Sequence, residues 1–206
     1  MKDKKSGEAP AKDSLSRLAD LCFEIGMLRH IPRSGFPFLG SGRENVAEHS
    51  FRTCAIGFML AQMAKIDSAR VIKLCLFHDL HEARTGDFNY VNHRYDSCDA
   101  IQALKDATRG TGLEKKILAL WEELEKNESP EARLANDADQ LDLICNLQTE
   151  LKKGNSFARE WLDSALKRLK TVEGTMLANK ILESDPNNWW YGQVAKDWWI
   201  DHGGKK

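Results

Sequence analysis

The apolar positions of the chain recur at helical intervals almost from end to end. Leu15, Leu18, Leu21, Cys22 and Ile25 follow three- and four-residue steps, which predicts a first helix ending near Gly26. The segment 28–43, LRHIPRSGFPFLGSGR, is rich in proline and glycine and reads as a loop, long enough to suggest a functional one. Val46, Ser50, Thr53, Gly57, Leu60 and Ala64 form one stripe of a helix over 44–64, and His49 lies on that stripe. A helix over 68–84 follows, then a loop over 86–94 and helices over 95–108 and 113–126, the last with a glutamate- and lysine-bearing solvated face. After a break at 127–130, further helices are predicted over 131–152, 156–170, 172–182 and 186–200. No strand alternation of useful length occurs, so the expected class is all-α. One domain is expected, with a frayed tail over 1–12, a main unit over 13–170 and a helical extension over 171–206 packed on it.

One segment departs from ordinary amphipathic chemistry. The helix over 68–84 enters through Val71, Ile72, Leu74, Cys75, Leu76 and Phe77, then carries His78, Asp79, His81 and Glu82 in FHDLHEARTGD. Imidazoles and carboxylates beside a core are costly unless something pairs with them, and a metal ion is one such partner. His78 and Asp79 are adjacent, Glu82 lies beside both on a helical surface, and His49 offers an imidazole from the preceding helix. Such a donor set suits Mn, Fe, Co, Ni or Zn and differs from a structural thiolate zinc site. A further carboxylate is available in LANDADQLDLICN, where the stripe Leu134, Ala138, Leu141, Cys145, Gln148 favours Asp137 over Asp139.

The segments ENVAEHS (44–50), HDLHEARTGD (78–87) and ADQLD (138–142) resemble, in order and separation, the motifs of HD-domain metal-dependent phosphohydrolases, nearest to the 5′-deoxynucleotidase branch. The resemblance covers roughly residues 15–170 and implies an orthogonal multi-helix bundle. It implies one divalent metal, with Mg also admissible, held by His49, His78, Asp79 and Asp139, leaving Asp137 as the fallback. It assigns Glu82 to catalysis and Asp87 to the substrate's sugar, while PRSGF, similar to the family's P-R-T-G-W, makes Arg33 the phosphate contact and Phe36 a pocket wall. The implied activity is hydrolysis of nucleoside 5′-monophosphates; a phosphodiesterase or pyrophosphohydrolase and a non-catalytic nucleotide sensor are the competing readings. Phe36 stands where tryptophan is usual, FNYVNHRY follows Asp87, and His81, expected as an exposed helix histidine, stands where the family has a small or polar residue. Arg29, His93 and Arg94 are further possible phosphate neighbours.

Composition narrows the partners. Thirty Lys and Arg against 31 Asp and Glu give a net charge of −1, which argues against a nucleic-acid polymer and leaves room for a small nucleotide. Five dispersed cysteines without a C-x-x-C pair read as reduced core residues of a cytoplasmic protein, and no apolar run is long enough to span a membrane. The segment NNWWYGQVAKDWWIDHGG places Trp190, Val194 and Trp198 at successive four-residue steps. A helix strapped onto the bundle is the plainer expectation there, and the interface of a homodimer the sharper one.

Overall fold

A computed structural model describes residues 13–192 of the protein. Helix α1 (Ser14–Ile25) is capped by Asp13 and runs into a 3-10 turn, Gly26–His30. The loop expected over 28–43 is more ordered than its composition suggests. It includes that turn, the short helix α2 (Phe36–Leu39), and a bridge between Pro32 and Asn45. Arg33 N donates to Glu44 O and Val46 N to Ile31 O, so the loop is pinned to the start of α3 (Val46–Ala64). Asn45 and Glu48 close a capping box there, which fixes where α3 begins and hence which face His49 occupies.

Helix α4 (Ser68–Phe77) is shorter than the predicted span of 68–84. The chain stops being α-helical at His78, turns through Asp79, Leu80 and His81, and resumes as α5 (Glu82–Thr85). Bonds such as Glu82 N to Asp79 O and Arg84 N to His81 O show the tighter three-residue spacing of a 3-10 turn. Leu80, 2% exposed, anchors this turn in a small core with Leu104 and Ile117. The polar residues on either side are thereby held at the cluster by one buried leucine. The helix predicted over 95–108 begins later, as α7 (Ala100–Thr108) capped by Asp99, while a short helix α6 (Asn92–Tyr95) forms in the segment expected as a loop and ends where Asp96 is extended.

Helices α8 (Glu114–Lys126), α9 (Pro130–Lys152), α10 (Ala158–Leu166) and α11 (Val172–Glu183) complete the bundle. Helix α9 is its axis and touches α3, α4, α8, α10 and α11. Leu134, Ala138, Leu141, Ile144 and Leu147 of α9 are all buried in the main core. Helix α11 contributes Ala178 to the same core. No strand occurs among the described residues, and the class is all-α. No helix among them is long and apolar enough to cross a membrane. Of the final predicted helix, Asn188–Gly192 forms a π turn, and Val194 and Trp198 lie outside the described residues. All five cysteines are free, but Cys22 is exposed, contrary to the expectation of a core position.

The close contact of α3 and α4 depends on Gly57. A Cβ there would stand 2.7 Å from Cys75 Sγ and 3.1 Å from Val71 Cγ1. Overpacking of this kind costs about 1–3 kcal/mol, against roughly 1 kcal/mol of better helix propensity for alanine. Gly57→Ala should therefore lower the thermal midpoint by up to roughly 8 °C, and a melt above wild type would refute the tight crossing.

Candidate active site

Three elements bring the polar cluster together: α3 supplies His49, the turn after α4 supplies His78 and Asp79, and α9 supplies Asp139. His49 is fully buried. Its Nε2 lies 3.1 Å from His78 Nε2, 3.1 Å from Asp139 Oδ1 and 3.6 Å from Asp79 Oδ2. His78 Nε2 is 3.1 Å from the same Asp79 oxygen. Donor atoms of His49, His78 and Asp79 lie within 4.8 Å of one another, and Asp139 joins them through His49.

The tautomers follow from the outer contacts. His78 Nδ1 is 2.7 Å from the Cys75 carbonyl oxygen, which can only accept, so Nδ1 carries the hydrogen. His49 Nδ1 is 2.8 Å from Asp142 Oδ2 and donates to it in the same way. Both Nε2 atoms then face each other, and the Nε2 proton of His49, held there by Asp139, is the one a bound cation would displace. Burial opposes charge on His49, yet hydrogen bonding to Asp139 and Asp142 holds its pKa up at about 10. Asp139 is displaced the other way: burial raises it, but the His49 bond and the charges of His49, His78 and Arg33 bring it down to about 2. Asp79 is held well below the carboxylate range, against its burial, by His78, His49 and Arg33. The cluster calls for positive charge at the point where the four side chains meet.

Asp137, favoured by the apolar stripe, is elsewhere. Its carboxylate accepts from Lys170 N, Thr171 N and Thr171 Oγ1 and ties the turn before α11 to α9.

Beside the cluster, and touching it through Asp139, lies a cavity of about 490 Å³ whose lining includes Arg33, Phe36, Glu82 and Asp87. Arg33 Nη1 donates to Asp87 Oδ1 at 2.7 Å and lies 3.4 Å from Asp79 Oδ2. Asp87 Oδ2 accepts from Ser34 N and Ser34 Oγ, so Asp87 orients the Arg33 loop as well as lining the cavity. Burial works against the Arg33 charge, but Asp79, Asp139 and Asp87 outweigh it and raise its pKa. Glu82 is buried with Oε2 unpartnered, and burial together with Asp79 and Asp87 pushes its pKa well above the carboxylate range. Phe36 is 8% exposed and belongs to the main core as well as to the cavity wall.

The other sequence candidates divide. His93 lines the cavity, exposed, with its ring 5.7 Å from that of Phe88. Arg29 is exposed and donates to His30, and neither it nor Arg94 lines the cavity. His81 is half-buried, contrary to the exposed position expected, with Nδ1 buried and unpartnered and its pKa lowered by burial. Residues that sequence reasoning left without a role include Asp142, Glu44 and Arg52. Arg52 donates to both carboxylates, and Asp142 in turn orients His49. Spacing offered a signal, since Asp142 is three residues beyond Asp139 and Arg52 three beyond His49. Gln140, Trp161 and Arg168 also line the cavity, with no motif to announce them.

The protein is 32% identical over 130 residues to a zebrafish (Danio rerio) protein named 5′-deoxynucleotidase HDDC2. That match covers 58% of this chain and spans 62% of the relative's length. A mouse (Mus musculus) protein of the same name is 26% identical over 175 residues, covering 79% of this chain and 85% of its own. A solved structure titled as a predicted metal-dependent phosphohydrolase from Magnetospirillum magnetotacticum superposes with a TM-score of 0.62 at 26% identity, covering 83% of this chain and 92% of that one. A family profile described as HD domain matches residues 25–180, an interval that contains every residue of the cluster and most of the bundle around it. The chain belongs to the HD-domain family of metal-dependent phosphohydrolases.

Proposed function

We propose that the protein hydrolyses deoxynucleoside 5′-monophosphates to nucleoside and phosphate, using one divalent metal held by His49, His78, Asp79 and Asp139. The observation that carries this reading is the pair of Nε2 atoms 3.1 Å apart with carboxylate oxygens beside them. Two imidazoles and two carboxylates form a fitting donor set for Mn, Fe, Co, Ni or Zn, and the Nδ1 of each imidazole is engaged from behind, which leaves Nε2 for the ion. The relatives named 5′-deoxynucleotidase support the substrate class.

When bound, the ion supplies Lewis acidity toward a phosphoryl oxygen and toward water. The chain's own residues do the rest. Arg33, held in place by Asp87 and Asp79, presents a planar fork to the phosphate. Glu82, with Oε2 unspent inside the same cavity, handles the proton that must pass from water to the leaving 5′-oxygen. Phe36 walls the sugar side, with Asp87 as the sugar contact.

The test is phosphate release from a panel of mono-, di- and triphosphates with added Mn, Co or Mg. Deoxynucleoside monophosphates should be hydrolysed in preference to ribonucleotides and to the higher phosphates. Turnover confined to di- or triphosphates, or none with any metal, would sink the proposal.

A further inference from the structure

On the cavity wall, Arg168, just beyond α10, donates from Nε to Gln140 Oε1 at 2.5 Å, and Gln140 Nε2 donates to Asp139 Oδ2 at 2.8 Å. The direction of the Gln140 amide is fixed by chemistry: a guanidinium can only donate and an ionised carboxylate can only accept. Gln140 is thus locked between the proposed metal ligand and the arginine. The lock spends Arg168 Nε, while its Nη groups have no hydrogen-bond partner among the described residues. The guanidinium carbon lies 5.7 Å from the centre of the Tyr90 ring. Phe38, Phe88, Tyr90 and Trp161 line the same cavity, so the surroundings of Arg168 are flat and aromatic.

Resting on the nucleotidase reading above, we propose that Arg168 is the base-reading residue of this pocket and selects purines that present O6 and N7 as an acceptor pair. Two arginines line the cavity, and they stand in different company. Arg33 is among the carboxylates at the metal end, where the phosphate belongs. Arg168 is separated from Asp139 by the whole Gln140 amide and two hydrogen bonds, and aromatic faces there suit stacking on a base. A guanidinium whose Nη groups are unpaired among the described residues matches the O6/N7 edge of guanine or hypoxanthine in a bidentate manner. Adenine offers a donor in place of O6 and leaves one of those groups unpaired. The Gln140 lock holds the fork at a constant distance from the metal cluster.

The experiment compares kcat/KM for dGMP, dIMP, dAMP and 7-deaza-dGMP in the full-length, metal-loaded protein. dGMP and dIMP should exceed dAMP by roughly 5- to 150-fold, the range for a bidentate arginine–base contact. The 7-deaza analogue, which lacks N7, should fall toward dAMP. Arg168→Ala should level the purines, and Arg168→Lys should not restore the preference, because a point charge cannot make the fork. The analogue series uses only wild-type protein, so it decides the matter even where the variants fold poorly. Equal rates for the wild-type purines, or an Arg168→Ala loss of the same factor for every substrate, would overturn the proposal. So would a loss confined to nucleoside diphosphates, which would make Arg168 a phosphate contact. Calorimetric binding of deoxyguanosine and deoxyadenosine separates this idea from the catalytic one. Selective deoxyguanosine binding without turnover would support base reading while removing the hydrolase proposal, and indifferent binding would remove base reading.

Discussion

Asp137→Asn is expected to destabilise the fold and keep the metal, and Asp139→Asn to lose the metal and keep the fold. The two carboxylates are two residues apart on α9, but their surroundings have nothing in common. Asp137 is fully buried, and its oxygens accept from two backbone N–H groups, Lys170 and Thr171, and from the Thr171 hydroxyl. Thr171 itself caps α11 through Gly174 N. An asparagine would turn an N–H₂ toward at least one of those donors. Orphaning buried donors costs about 1–3 kcal/mol each, so a total of about 3 kcal/mol is expected. For a chain of this size that lowers the thermal midpoint by roughly 6–12 °C. Asp139 instead points one oxygen at His49 Nε2, 3.1 Å away, and the other at Gln140. Among the described residues no backbone group donates to it. Its amide variant should melt near wild type and lose bound metal on dialysis, measured by elemental analysis. Metal retained in Asp139→Asn would remove that residue from the ligand set, and a normal melt for Asp137→Asn would void the structural assignment.

For Glu82→Gln, turnover should fall by roughly 10²- to 10⁴-fold, the scale of a lost proton-transfer group, with metal content unchanged. The stability of the variant is the more discriminating readout. Glu82 is 7% exposed, its Oε2 has no hydrogen-bond partner, and Asp79 and Asp87 are its principal charged neighbours. Folding at neutral pH must protonate this group, because its folded pKa lies far above its unfolded one, and that proton uptake works against stability, so the neutral isostere should melt at or above wild type in the metal-free protein. Activity lost together with stability would mean that Glu82 is a structural residue. Activity retained would mean that the proton is handled elsewhere.

Much of this site is readable from the chain, for a local reason. The His49 stripe, the adjacent His78 and Asp79, and Glu82 lie within or beside helices whose apolar spacing is regular, so their shared face follows from helical geometry. The break at His78 was not readable. Apolar spacing and αR dihedrals continue past it, and the turn tightens where Leu80 drops into the second small core formed with Leu104 of α7 and Ile117 of α8. Those contacts are distant in sequence. The missed residues Gln140, Trp161 and Arg168 share this property, since α10 approaches α9 only in the folded bundle.

By itself the sequence determined an all-helical chain and the order of its main helices, because apolar periodicity and capping residues act within a few positions. It also pointed to the kind of chemistry, through the order and separation of ENVAEHS, HDLHEARTGD and ADQLD, because histidines and carboxylates among apolar neighbours are costly unless something pairs with them. The motif resemblance put Asp139 ahead of Asp137 against the apolar stripe, and the physical reason why the two differ lies in the tertiary structure. A helical wheel ranks positions by a single apolar face, and α9 has neighbours on nearly every side: α3 and α4, α8, α10 and α11. In such a helix the fate of a carboxylate is set by what packs against it. Asp137 met the backbone entering α11, and Asp139 met His49.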